Sequence, residues 1–123
     1  MRIVIADDVL KSQMQAYLAL HRRHHCEIAE DRQTVVTLAK EFKPDIILLA
    51  MGFDCHTQNG DWGDLVQELK QIAPNCRLIA ISDTDIEGDA ARVLGVSGVL
   101  RRPLRQQRLL ALIGSGQEGT LAP

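Results

Sequence analysis

Apolar residues along this chain alternate between two spacings. The unbroken runs Ile3–Ala6, Ile46–Leu49 and Leu78–Ile81 have the length of strands buried on both faces. Between and after them apolar positions recur at helical spacing. Leu10, Met14, Tyr17 and Leu18 form one stripe, Val35, Leu38, Ala39 and Phe42 a second, and Trp62, Leu65, Val66, Leu69 and Ile72 a third. A fourth, Ile86, Ala90, Val93 and Leu94, ends at Gly95, and a fifth runs from Leu104 to Ile113 and stops at Gly114. Each stripe predicts a helix with its apolar face on a core, and glycine is a natural stop after such a helix. Asp31 and Asp85 stand where side-chain caps of the second and fourth helices are wanted. Two weaker strands, Cys26–Ala29 and Gly98–Leu100, fit the gaps.

Five strands alternating with five helices predict an α/β fold: a parallel sheet with helices on both faces, three layers in all, joined by right-handed crossovers. A doubly wound strand order 2-1-3-4-5 suits this size, with the functional crevice at the carboxyl ends of the strands. Asp7, Asp8, Ala50, Ser82 and Arg102 collect there, each at or just past a strand end. The length of 123 residues fits one domain. Residues 1–113 form it, and 114–123 read as a flexible tail or linker, from the composition of Gly114 to Thr120.

Aromatics make up 3% of the chain, so the core is aliphatic. A net charge of −2 gives no nucleic-acid footprint. No apolar run approaches the roughly 20 residues of a membrane span. Asp7 follows only four apolar residues, too soon for the core of a signal peptide, and a cytoplasmic location is expected. Cys26, Cys55 and Cys76 share no CxxC spacing. His24-His25-Cys26 and Cys55-His56 read as solvated loop residues and a small buried thiol, because two adjacent ligands do not close a tetrahedral site.

Four segments, in order and at the right separations, carry a resemblance: Ile3-Val4-Ile5-Ala6-Asp7-Asp8, Pro44-Asp45-Ile46-Ile47-Leu48-Leu49, Ala80-Ile81-Ser82, and Gly95 through Leu104 with Arg101-Arg102-Pro103 inside it. From Met1 to about Ile113 the chain resembles the receiver domains of two-component response regulators, whose fold is flavodoxin-like. The resemblance implies a phosphoryl-transfer pocket. Asp7 and Asp8 match the acidic pair that binds Mg²⁺, which takes oxygen ligands. Ser82 matches the hydroxyl that meets the phosphoryl oxygen. Arg102, before Pro103, stands where the family has a lysine before a cis-proline, and Val99 where it has a switch aromatic.

The departures are as telling. The phospho-acceptor position holds Ala50, whose methyl neither attacks phosphorus nor binds metal. Arginine is not a conservative replacement for lysine there. Val99 carries no ring, no Met-Pro pair follows Ala50, the loop to Gly60 runs about two residues longer than is usual in the family, and Asp83 puts a repelling charge after Ser82. Asp54, four residues past Ala50, is a candidate relocated acceptor. The expected protein is an atypical or pseudo-receiver without catalytic activity or cofactor, keeping at most a weak or vestigial Mg²⁺ site at Asp7 and Asp8. Its pocket residues are Asp7, Asp8, Ala50, Ser82, Arg102 and Pro103, with Arg102 bridging Asp7 and Asp8 in the space of metal and phosphate. A structural alternative for the two aspartates is capping of the next helix.

Partners implied by the resemblance are signalling proteins, a histidine kinase or an output domain. The face expected to meet them, and to form a weak symmetric homodimer, comprises Ile86, Glu87, Asp89, Arg92, Val96, Val99, Arg101 and Arg105. Two rival readings stay open: a phosphorylatable receiver inactivated by substitution at Ala50, and a small flavodoxin-like cofactor-binding protein. Against the latter, no glycine-rich phosphate loop follows any strand, and few aromatics are available to stack a ring.

Overall fold

The aliphatic runs extend as five strands: β1 (Arg2–Ala6), β2 (His25–Ala29), β3 (Ile46–Ala50), β4 (Arg77–Ser82) and β5 (Gly98–Arg101). The computed structural model describes residues 1–53, 62–84, 93 and 95–115. Strand ends reach slightly beyond the apolar runs, because backbone pairing rather than side-chain burial sets them. Ser82, for instance, still pairs with Arg101. All pairings are parallel, in the order β2-β1-β3-β4-β5. This is the doubly wound order expected from the alternation of elements.

Among the described residues four helices accompany the sheet: α1 (Leu10–Leu20), α2 (Arg32–Glu41), α3 (Trp62–Ile72) and α4 (Gln106–Ser115). α1 and α4 pack together, and so do α2 and α3, the division between two faces that right-handed crossovers produce. Every residue of β3 is buried, and so are Ile3, Val4, Ile5 and Ala6 of β1, as covering on both faces requires. Of the predicted fourth helix, only Val93 falls within the described residues, together with its stop, Gly95, at φ 86°. The cap at Asp85, the acceptor candidate Asp54, the pair Cys55-His56 and residues 116–123 of the tail lie outside them.

Local chemistry explains the helix ends. Asp31 caps α2, its carboxylate accepting the Thr34 N–H at 2.8 Å. Hydrogen bonding from Thr34, its side chain first and its N–H second, holds the Asp31 carboxyl below the usual aspartate range. The Arg77 guanidinium donates to the carbonyls of Leu112 and Ile113 at 2.9 and 3.0 Å, supplying donors that the last turn of α4 lacks. Gly114 does not end that helix, which runs one residue further. Arg32 of α2 pairs with Glu68 of α3 at 2.9 Å.

One helix departs from its predicted orientation. The stripe Leu10, Met14 and Leu18 of α1 faces outward, with Leu10 68% and Leu18 60% exposed, and Tyr17 is half-buried. The buried side of α1 is Ser12, Gln13, Ala16 and Leu20. Two polar side chains occupy inward positions because acceptors wait for them there. The apolar residues are left outside.

Candidate functional site

Strand register brings the site together. Ala6 pairs with Leu49, so Asp7, one residue on, comes level with Ala50. Ala50 pairs with Ile81, and Ser82 with Arg101. Arg102 then follows β5, its N–H donating to the Ser82 carbonyl at 2.8 Å. The Arg102–Pro103 peptide is cis, as expected. All six predicted pocket residues therefore lie at the carboxyl ends of the strands.

Asp7 is fully buried, and a charge there is costly unless it is paired and hydrogen-bonded. Its Oδ1 accepts the Val9 N–H at 2.9 Å and the Arg102 Nη2 at 2.8 Å. Its Oδ2 accepts the Ser12 hydroxyl in a very short bond. Arg102 uses the rest of its fork too: Nε donates to Ser12 Oγ at 3.1 Å and Nη1 to Asp83 Oδ1 at 3.0 Å. One guanidinium thus spans Asp7, Ser12 and Asp83, a task for a planar, permanently charged group with several donors. The sequence predicts a bridge from Asp7 to Asp8. The second carboxylate on the fork is instead Asp83, which the sequence suggested only as a repelling charge. Asp8 is exposed.

Gln13 completes the inner face of α1. Its amide donates to the Asp7 carbonyl at 2.5 Å and to Glu30 at 2.9 Å. Ser12 and Gln13 are the site residues that sequence reasoning missed. The available signal was their spacing: positions 12, 13, 16 and 20 make one helical face that includes Ala16 and Leu20. As for the capping alternative, the N-cap residue of α1 is Val9, which makes no side-chain cap bond, and Asp7 receives its N–H instead.

The acceptor position is closed over. Ala50 is buried, and its carbonyl accepts the Trp62 indole N–H at 2.9 Å and the Phe53 N–H at 3.0 Å. Gly52, at φ 81°, allows the tight turn that returns Phe53 to the core. Ser82 Oγ accepts the Thr84 N–H at 3.0 Å, so its hydroxyl is engaged within its own loop.

A divalent cation does not fit this donor set. Mg²⁺ demands several oxygen ligands in near-octahedral array. Both carboxylate oxygens of Asp7 already accept protein donors, Ala50 brings no side-chain oxygen, and its carbonyl is occupied. Among the described residues no group of three or more His, Cys, Asp or Glu side chains is arranged to hold a metal ion. The His24-His25-Cys26 stretch is engaged otherwise: His24 meets the terminal amine at 3.3 Å, and His25 meets Glu27 at 3.4 Å. Burial, with the nearby amine and Arg23, lowers the His24 pKa.

Of the predicted interaction face, Ile86, Glu87, Asp89 and Arg92 lie outside the described residues. Arg101 and Arg105 are exposed and Val99 is half-buried. Val96 is buried in the core behind the Gly95 turn, so it is not available to a partner. Arg101, Arg105, Arg108 and Thr84 line a depression of about 470 Å³ beside β5. Among the described residues no helix is long and apolar enough to cross a membrane.

The same fold recurs in solved structures. A two-component response regulator from Clostridium difficile matches with a TM-score of 0.81 at 16% identity, over 98% of this chain and 99% of that one. The CheY-like response regulator receiver domain protein from Methanospirillum hungatei JF-1 matches at 0.78 and 15%, over 94% and 91%. The response regulatory domain of protein mrkE from Klebsiella pneumoniae matches at 0.73 and 19%, over 98% and 100%. No family model and no curated protein matches the sequence. The chain has the fold of response regulator receiver domains.

Proposed function

We propose that this chain is a pseudo-receiver: a signalling module of the two-component type that works through protein contacts without aspartyl phosphorylation. The observation that carries this reading is Arg102, whose guanidinium bridges Asp7 and Asp83, while the strand end between those of β1 and β4 carries the buried Ala50. Phosphoryl transfer depends on a positioned nucleophile and on cations that neutralise developing charge. Here Ala50 supplies no nucleophile, and both oxygens of Asp7 already accept protein donors. The module is not an enzyme in this reading. Its partners are a histidine kinase or an output domain, as for two-component response regulators.

The test is intact-mass measurement after incubation with acetyl phosphate and Mg²⁺. No phosphoryl adduct is expected. A stoichiometric adduct overturns the proposal, and its loss on Asp54→Asn would identify a relocated acceptor.

A further inference from the structure

We infer that the outer ridge of α1 is a self-association surface that pairs two copies of this chain antiparallel about a two-fold axis at Met14. Leu10, Met14 and Leu18 stand at i, i+4 and i+8, with Val9 beside them, and all four are exposed. With Val93 they are the exposed large apolar residues among those described, so three of the five fall on one ridge and a fourth, Val9, directly precedes it. A contiguous apolar strip of this kind marks a contact surface rather than scattered surface apolarity.

The occupant follows from the symmetry and charge of the ridge. A two-fold interface requires a patch complementary to itself, in which residue i meets j and j meets i. The ridge is centred on Met14, with a leucine four residues to either side. Antiparallel pairing therefore sets Leu10 on Leu18 of the second copy and Met14 on its own counterpart. Such i±4 ridges seat beside one another at roughly 8–10 Å between axes.

Charge has the same polarity. Asp8 and Lys11, both exposed, balance each other at the start of the helix, while exposed Arg22 and Arg23 follow it, and no carboxylate lies between Val9 and Cys26. Antiparallel pairing brings Asp8 and the net-neutral start of each helix toward the basic end of the other, whereas parallel pairing sets the two basic ends together. The helix dipoles favour the same arrangement. With a few apolar side chains from each copy, the interface belongs to the weak, reversible class. This inference does not depend on phosphorylation, and its test uses neither Mg²⁺ nor a phosphodonor.

Sedimentation equilibrium of the full chain at high protein concentration and low salt is expected to show a monomer–dimer equilibrium. Leu10→Ser with Leu18→Ser should weaken it by roughly tenfold or more while leaving the circular dichroism spectrum unchanged. Asp8→Lys should weaken it and Arg22→Glu in the same chain should restore it. Under mild oxidation, Met14→Cys should give a disulfide-linked peptide joining position 14 to itself far faster than Val93→Cys, a control that is 86% exposed, joins itself. A strict monomer, a dimer indifferent to the Leu10 and Leu18 changes, or equal cross-linking at positions 14 and 93 overturns the inference.

Discussion

The two faces of α1 carry opposite chemistry from what a surface helix ordinarily shows. Its inner face presents Ser12 and Gln13, tied to Asp7, Arg102 and Glu30. Its outer face presents Leu10, Met14 and Leu18 to solvent. The inner polar groups are satisfied: among the described residues no buried side-chain polar atom lacks a partner. A buried carboxylate at the end of β1 needs donors, and α1 turns its hydroxyl and amide inward to supply them. The cost is an apolar strip in water.

The largest effect expected from breaking this arrangement is at Arg102. Its side chain is only 14% exposed and its partner Asp7 is fully buried. Arg102→Ala leaves that carboxylate without its counter-charge, and removal of one member of a buried pair costs about 3–5 kcal/mol. Urea unfolding should show a loss near the lower end of that range, since water reaches the vacated space. Asp83, by contrast, is 78% exposed, and Asp83→Asn should cost no more than about 1 kcal/mol.

A middle-sized effect separates the two faces of α1 directly. Ser12→Ala removes a donor to Asp7 and an acceptor for Arg102, a loss of about 1–3 kcal/mol. Leu18→Ser, on the outer face, should change monomer stability by no more than about 0.5 kcal/mol. Equal losses at the two positions, read from the same urea midpoints, would break the comparison.

The smallest effect concerns a cap that keeps to the surface. Asp31 is exposed and accepts the Thr34 N–H, in contrast to Asp7, which accepts the Val9 N–H from within the core. Because the folded Asp31 carboxyl is held below its unfolded value, its contribution is present above about pH 4 and is lost as pH falls through the folded value. Asp31→Ala should therefore cost about 1 kcal/mol at neutral pH. That difference should fade on acidification, as paired unfolding curves at pH 7 and pH 3 would show.

Much of the fold was legible because its signals are local and strong. The runs of β1, β3 and β4 read directly as strands buried on both faces, and their alternation with helical stripes led to the strand order. The pocket residues were legible from their positions at strand ends. The orientation of α1 was not, because apolar spacing identifies a helix and its stripe without saying whether that stripe wins the core. Here a buried Asp7 outbids Leu10 and Leu18, and such a competition exists only once tertiary structure is formed. The partnership of Arg102 with Asp83 was hidden for a similar reason: the two are 19 residues apart, and β4–β5 pairing brings their strand ends together.

In the proposed pseudo-receiver, Arg102 holds the place that a cation would take. It is tested most directly by following the melting temperature of the wild-type chain and of Arg102→Ala against Mg²⁺. The wild type is expected to shift by less than about 1 °C, because both oxygens of Asp7 are engaged. The variant, melting lower at the start, is expected to regain roughly 5 °C as Mg²⁺ reaches about ten times its dissociation constant. Strong Mg²⁺ stabilisation of the wild type, equal to that of the variant, would contradict the account.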